Sequence, residues 1–244
     1  MPLTVEAIPC LSDNYAWLLR DEASGAVALC DPGEAGPPAA ALEARAGGRL
    51  DLILLTHHHG DHVAGVAELK ARFGGAKVVG AAADAHRLPP LDLALRPGEA
   101  VALGGSRATV IDTPGHTRGH IAYHFGPEEV LLCGDTLFSL GCGRLLEGTA
   151  AEMFGSLRAL AALPPRTLVC CGHEYTESNA RFALTVEPEN AALRAMAEAA
   201  RSARAAGRPT VPTTIGQERE ANPFLRAPDV ARLAEIRAAK DNFR

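Results

Sequence analysis

The chain has 244 residues, 47% apolar and 22% charged, with a formal net charge of −5 at pH 7. At roughly 100–200 residues per domain this is one large domain, or one with a small appendage; the composition excludes a disordered chain and allows a core that needs no disulfides. The acidic balance excludes a general nucleic-acid binder, and no apolar run approaches the roughly 20 residues of a membrane-spanning helix.

In chain order, Leu3–Ile8, Tyr15–Leu19 and Val27–Asp31 read as strands, the third ended by Pro32-Gly33. Ala39–Ala46 reads as a short helix and Asp51–Leu55 as a buried strand. A histidine-rich loop follows, then a helical pattern from Val63 to Phe73. Further strands are predicted at Lys77–Gly80, Thr109–Asp112, Ile121–Phe125, Val130–Cys133 and Thr167–Cys171, with a helix over Ala150–Leu163. After His173 the strand-like runs stop. Glu189–Ala206 and Asp229–Ala239 read as helices, and Pro209–Arg226 as an irregular connection. A layered α/β body over 1–173 with a helical appendage over 174–244 is therefore expected. The body holds 13 basic and 19 acidic residues, the appendage 11 and 10, so the appendage is relatively cationic.

Cys10, Cys30, Cys133, Cys142, Cys170 and Cys171 form no CxxC pair, so a cysteine zinc site is not expected. Met1 to Glu6 lack the basic start and apolar stretch of a secretory signal, and the reading is a cytoplasmic protein with reduced, buried thiols, expected as a monomer.

The chemistry concentrates in Thr56-His57-His58-His59-Gly60-Asp61-His62, directly after a buried strand. Imidazole and carboxylate suit zinc, iron or manganese better than calcium. In an extended loop His57 and His59 share one side and His58 faces the other. Asp61 and His62 then open the next helix, so one strand end offers two ligand groups, a pattern that favours two metals. Further donors sit past other strand ends: His116 in Thr113-Pro114-Gly115-His116, Asp135 in Cys133-Gly134-Asp135 and His173 in Cys171-Gly172-His173. Spacing alone does not choose between His116 and His120. His58, His86 and His124 have no second donor at useful spacing and read as non-ligands.

These motifs, THHHGDH, TPGH, CGDT and CGHEYT, resemble the metallo-β-lactamase superfamily and, more narrowly, the glyoxalase II (hydroxyacylglutathione hydrolase) branch. SDNYAWLL at 12–19, DPGEA at 31–35, CGDTLFSLGCGRLLEGT at 133–149, NPFLR at 222–226 and RAAKDNF at 237–243 extend the likeness. The resemblance implies an αββα sandwich with a C-terminal helical substrate-binding subdomain. It implies a pair of divalent metals, zinc first and iron or manganese as alternatives. One metal would take His57, His59 and His116, the other Asp61, His62 and His173, with Asp135 bridging. It thus selects His116 over His120.

The implied reaction is hydrolysis of S-2-hydroxyacylglutathione, S-D-lactoylglutathione above all, by a metal-bridged hydroxide, the second step of methylglyoxal detoxification. Asp61 and Asp135 would serve the chemistry directly. Glutathione contacts fall on Arg144, Tyr175, Arg237 and Lys240. Leu145-Leu146 depart from the family pattern, which in some members places an aromatic residue after the basic one. The nearest rival is a mononuclear-iron glutathione-persulfide dioxygenase on the same fold, disfavoured by the long helical tail with Arg237 and Lys240. A hydrolase of lactones or nucleic-acid ends and a non-catalytic metal binder are weaker still.

Overall fold

The structure is a computed structural model and describes residues 3–243. Its first sheet runs β1 (Leu3–Cys10), β2 (Asn14–Asp21), β3 (Val27–Cys30), β4 (Leu52–Leu54), β5 (Lys77–Ala81) and β6 (Leu93–Leu95), in that spatial order. β1 to β3 are antiparallel and β3 to β6 parallel. Helices α1 (Gly36–Ala46), α2 (Gly60–Val63) and α3 (Val66–Arg72) fill the crossovers. The second sheet is built from β7 (Ala100–Leu103), β8 (Ser106–Asp112), β9 (Ile121–Phe125), β10 (Val130–Gly134) and β13 (Leu168–Cys171). A small hairpin, β11 (Leu137–Phe138) and β12 (Gly141–Cys142), leaves it, and α4 (Ala150–Ala161) precedes β13. The C-terminal segment adds α5 (Thr176–Val186), α6 (Ala191–Ala205), β14 (Thr213–Thr214), α7 (Ile215–Ala221), α8 (Pro223–Arg226) and α9 (Val230–Asp241).

Strand alternation explains the layering. Trp17, Leu19, Ala28, Cys30, Leu52 and Leu54 point into the core shared with the second sheet. Their neighbours Ala16, Leu18, Val27, Leu29, Ile53 and Leu55 point the other way, onto α1 and α3 through Leu42, Val66 and Leu69. On the far side, α4 buries Met153, Leu157 and Leu160 against the second sheet. The result is the expected αββα sandwich. Trp17 also donates its indole N–H to Cys171 O at 2.9 Å, tying the two sheets together beneath β13. Trp17→Ala would remove that bond and leave a cavity, at a cost of about 3–5 kcal/mol.

Several elements differ from the sequence reading. The predicted Val63–Phe73 helix is only α3 (Val66–Arg72), separated from the one-turn α2 (Gly60–Val63) at Gly65, which donates its N–H to Pro32 O at 3.0 Å and lies too close to the Glu34 backbone for a side chain. α1 starts three residues before the predicted Ala39, with Pro37 and Pro38 in its first turn. Pro209–Arg226 is not irregular: it holds β14, α7 and α8. Thr214 caps α7 in a reciprocal box with Gln217, and Asn222 caps α8. β14 pairs with β13 and extends the second sheet, so the C-terminal segment is not purely helical. α5, β6, β7, β11 and β12 were not predicted.

Candidate metal centre

Four strand ends converge. Asp31 follows β3, Thr56-His57 follow β4, Asp135 follows β10 and His173 follows β13. His116 comes in from the β8–β9 turn. β10 must break register to deliver Asp135: its ladder with β13 shifts between Leu132 and Gly134. Gly134 there adopts φ +47, which favours glycine. Gly172 needs to be bare for a second reason, since a Cβ would stand 2.6 Å from His62 Cε1.

The seven predicted donors come together as two trios joined by one carboxylate. In the first, His59 Nδ1 lies 3.1 Å from His57 Nε2 and 3.0 Å from His116 Nε2. In the second, His62 Nε2 lies 3.3 Å from His173 Nε2, and Asp61 Oδ2 lies 3.8 and 3.5 Å from those two nitrogens. Asp135 stands between the trios. Its Oδ1 is 3.4 Å from His62 Nε2, and its Oδ2 is 3.5 Å from His116 Nε2 and 3.3 Å from His173 Nε2.

These donors fit a cation. A tetrahedron of imidazole nitrogens at 2.0–2.1 Å from a metal has edges of about 3.3 Å, close to the separations seen. Asp135 Oδ1 is buried without any hydrogen-bond donor among the described residues, a costly arrangement unless a cation meets it. Burial holds His57, His59 and His116 below the ordinary histidine range, so their lone pairs are free at neutral pH. Burial alone would push Asp135 up, but the neighbouring His62 and His173 imidazoles outweigh it and hold the carboxyl well below the usual carboxylate range.

For His57, His62, His116 and His173 the outer ring nitrogen has its own partner, which fixes ring orientation. His57 Nδ1 lies 3.0 Å from Thr56 Oγ1, and His116 Nδ1 donates to Arg144 O at 2.9 Å. His62 Nδ1 lies 3.2 Å from Asp31 Oδ2, and His173 Nδ1 lies 3.0 Å from Asp13 Oδ1. Asn14 Nδ2 donates to Asp61 Oδ2 at 3.1 Å. The sequence reading missed Asp13, Asn14 and Asp31. Asp31 carried a signal, a carboxylate just past a buried strand; Asp13-Asn14 look like any hairpin turn.

His120 separates from His116 on geometry. Its Nε2 accepts from the Asp135 N–H at 3.1 Å, and its Nδ1 lies 2.8 Å from Thr113 Oγ1 and 3.1 Å from Thr136 Oγ1. Both nitrogens are engaged, so His120 braces the Asp135 backbone. His58 turns away to Asp84 Oδ2 at 3.1 Å.

A cleft of 420 Å³ leads from His116 and Asp135 to the C-terminal segment, lined among others by Phe138, Cys142, Arg144, Tyr175, Arg237 and Lys240. Tyr175 stacks on His173, and Arg144 is exposed with no hydrogen bond from its side chain among the described residues. Lys240 Nζ donates to Ser178 O at 3.1 Å. Burial, with Arg237, Arg181 and Arg144 nearby, lowers its ammonium to about 8. Arg237 sits in the wall itself, 5% exposed, donating to Cys142 O at 2.8 Å and Asp241 Oδ1 at 2.8 Å.

The model of the metallo-beta-lactamase superfamily matches residues 12–173, and that of the hydroxyacylglutathione hydrolase C-terminus matches residues 174–243. A hydroxyacylglutathione hydrolase from Acidiphilium cryptum is 57% identical over 240 residues, covering 98% of this chain and 97% of that protein. The chain belongs to the hydroxyacylglutathione hydrolase family of the metallo-β-lactamase superfamily. Among solved structures, ETHE1 from Myxococcus xanthus has a TM-score of 0.72 at 25% identity, covering 100% of this chain and 92% of that one. TTHA1623 in a di-iron-bound form has a TM-score of 0.63 at 27% identity, covering 91% of this chain and 99% of that one. Family membership thus rests on both halves of the chain.

Proposed function

We propose that the protein hydrolyses S-2-hydroxyacylglutathione thioesters, S-D-lactoylglutathione above all, to the hydroxy acid and glutathione. The observation that carries this reading is the cleft that starts at the donor cluster and ends among cations of the C-terminal segment. A thioester must lie at one end and an anionic tripeptide at the other. The identity of the curated relatives, above 50%, and the C-terminal family match support it over a persulfide dioxygenase.

On this reading His57, His59 and His116 hold one divalent ion, Asp61, His62 and His173 hold a second, and Asp135 serves both. Zinc is the proposed metal, with iron and manganese accepted by the same donors. That a relative of this fold is named in a di-iron-bound form supports the pair. Bound there, the ions would bring the pKa of water to about 7 and polarise a carbonyl oxygen.

The chain's own groups do the rest. Burial alone would push Asp61 up, but the neighbouring His62 imidazole and the Asn14 hydrogen bond outweigh it and hold the carboxyl below the usual carboxylate range, and a cation bound beside it would favour the same ionised form. The carboxylate accepts the hydrogen bond of the attacking water and aims it at the thioester carbonyl. The leaving thiolate, with a pKa of about 8.5, needs no strong acid, and the cleft offers none. Arg144 and Lys240 face the glutathione carboxylates, while Arg237 adds charge from the wall. Tyr175 offers its hydroxyl to the peptide. Residues 1–173 act as the catalytic domain and 174–244 as the substrate-binding subdomain, in a cytoplasmic monomer. Six free, buried thiols suit that reducing compartment.

The test is a thioesterase assay on S-D-lactoylglutathione with metal content measured on the same sample. Turnover with about two metals per chain is expected. Oxygen uptake with glutathione persulfide and one iron per chain, without thioester cleavage, overturns the reading in favour of the dioxygenase.

A further inference from the structure

At the floor of the cleft five consecutive residues, Phe138 to Cys142, each give one backbone polar group to a buried side chain of the C-terminal segment. Asn222 Nδ2 donates to Phe138 O at 3.2 Å and to Gly141 O at 3.0 Å. Asn179 Nδ2 donates to Ser139 O at 3.0 Å, and Arg237 donates to Cys142 O at 2.8 Å. The Leu140 N–H donates to Glu218 Oε2 at 2.8 Å. Leu140 sits at φ +57, a conformation that a leucine does not hold by itself. Its side chain is fully buried with Ala180, Ala183 and Leu193 of the C-terminal helices.

Glu218 is the odd member of this clamp. It is fully buried and has no cationic partner among the described residues. Its carboxyl instead collects Thr213 Oγ1 at 2.7 Å, Asn222 Nδ2 at 3.0 Å and the Leu140 N–H. An apolar residue of similar size would cost less to bury. What the carboxyl supplies is a fixed place for the hairpin.

The hairpin places two groups of the cleft. Phe138 meets Tyr175 edge-on, with ring centroids 5.3 Å apart. One residue past the hairpin, the Gly143 N–H donates to Thr136 O at 3.2 Å, and Arg144 follows.

We propose that Glu218 and Asn222 are positioning residues for the glutathione half of the cleft: they hold the β11–β12 hairpin, and through it Phe138 and Arg144, against the tripeptide without touching it. The proposal rests on the hydroxyacylglutathione hydrolase reading above. Thr213 Oγ1 donates to Oε1 while Oε2 accepts both N–H groups. Glutamine keeps the shape and one carbonyl oxygen for the two N–H groups, with its amide NH2 facing a hydroxyl that can turn to accept; leucine fills the space with no acceptor.

The experiment compares the full-length, metal-loaded protein with Glu218→Gln and Glu218→Leu on two substrates. One is S-D-lactoylglutathione; the other is S-lactoyl-N-acetylcysteamine, the same acyl group without the tripeptide. Glu218→Leu is expected to raise KM for the glutathione thioester about tenfold, from one stranded N–H, with kcat within about twofold. It leaves kcat/KM for the short thioester unchanged, and Glu218→Gln behaves as the parent protein. In amide exchange, Leu140 loses protection in the Leu variant and keeps it in the Gln variant. Equal losses on both substrates, or a Gln variant as impaired as Leu, overturn the proposal. Should Glu218→Leu not fold, Thr213→Val removes one bond to the carboxyl at nearly constant volume and must give the same split at smaller amplitude. A parent protein that treats both thioesters alike sinks the glutathione reading instead; the Leu140 amide then decides whether the clamp exists.

Discussion

Tyr175 lies flat on the metal-ligand candidate His173, with ring planes 6° apart and centroids 4.6 Å from each other. The two residues are neighbours but one in sequence, at the end of β13 and the start of α5, so one strand-to-helix turn serves both the donor cluster and the substrate cleft. Tyr175→Phe keeps the stack and loses the hydroxyl. KM for the glutathione thioester should rise about 2- to 10-fold with metal content unchanged, as read by steady-state kinetics and elemental analysis. Tyr175→Ala removes the stack as well and should lower metal retention, because His173 then turns more freely.

Lys240 makes substrate affinity depend on pH. Its folded-state pKa is lowered to about 8 from the ordinary 10.5, by burial first and by the neighbouring arginines second. The ammonium is therefore present below pH 8 and lost above it. KM for S-D-lactoylglutathione should climb between pH 7 and 9, and Lys240→Arg, always charged, should flatten that limb. A Lys240→Arg profile that still climbs would place the ionisation elsewhere. The same shift means that the unfolded chain binds more protons between pH 8 and 10.5, so this group makes stability rise with pH in that window.

Asp13 and Asp31 back the two imidazoles of the second trio, whereas His57 and His116 rest on a hydroxyl and a carbonyl. Asp31→Asn and Asp13→Asn should each weaken metal affinity about 10- to 100-fold, measured by competition with a chromogenic chelator. Asp31→Asn should do more harm, since Asp31 also takes the Thr56 N–H at 2.9 Å and the Thr56 hydroxyl at 2.6 Å. Asp13 is half exposed and water can stand in for part of its role.

The donor cluster was legible because imidazoles and carboxylates were packed into one short loop, with their companions just past other strands. Few structural accounts explain Thr56-His57-His58-His59-Gly60-Asp61-His62 on a buried strand. The choice of His116 over His120 was not legible, since both lie in one turn and only the spent nitrogens of His120 separate them. The strands of the first sheet announced themselves by apolar runs of adequate length. The β11–β12 hairpin did not. Its shape is set by Asn179, Asn222 and Glu218, which bond to it from 40 to 84 positions away. Helices α7 and α8, seven and four residues long, are too brief for a 3.6-residue rhythm to show. The resemblance gives Arg237 as a glutathione contact, but its packing over the Phe224 ring at 5.3 Å and its carbonyl partner, which make it part of the wall, are not legible in the sequence.

Thr213 and Thr214 occupy the flank of Leu168–Cys171. Cutting the chain after 173 would therefore not trim an accessory away. It would strip the cover from an apolar ribbon whose amide groups then lack an occupant on that side, an invitation to pair with another molecule. A shortened form is expected to precipitate during expression instead of surviving as a smaller hydrolase.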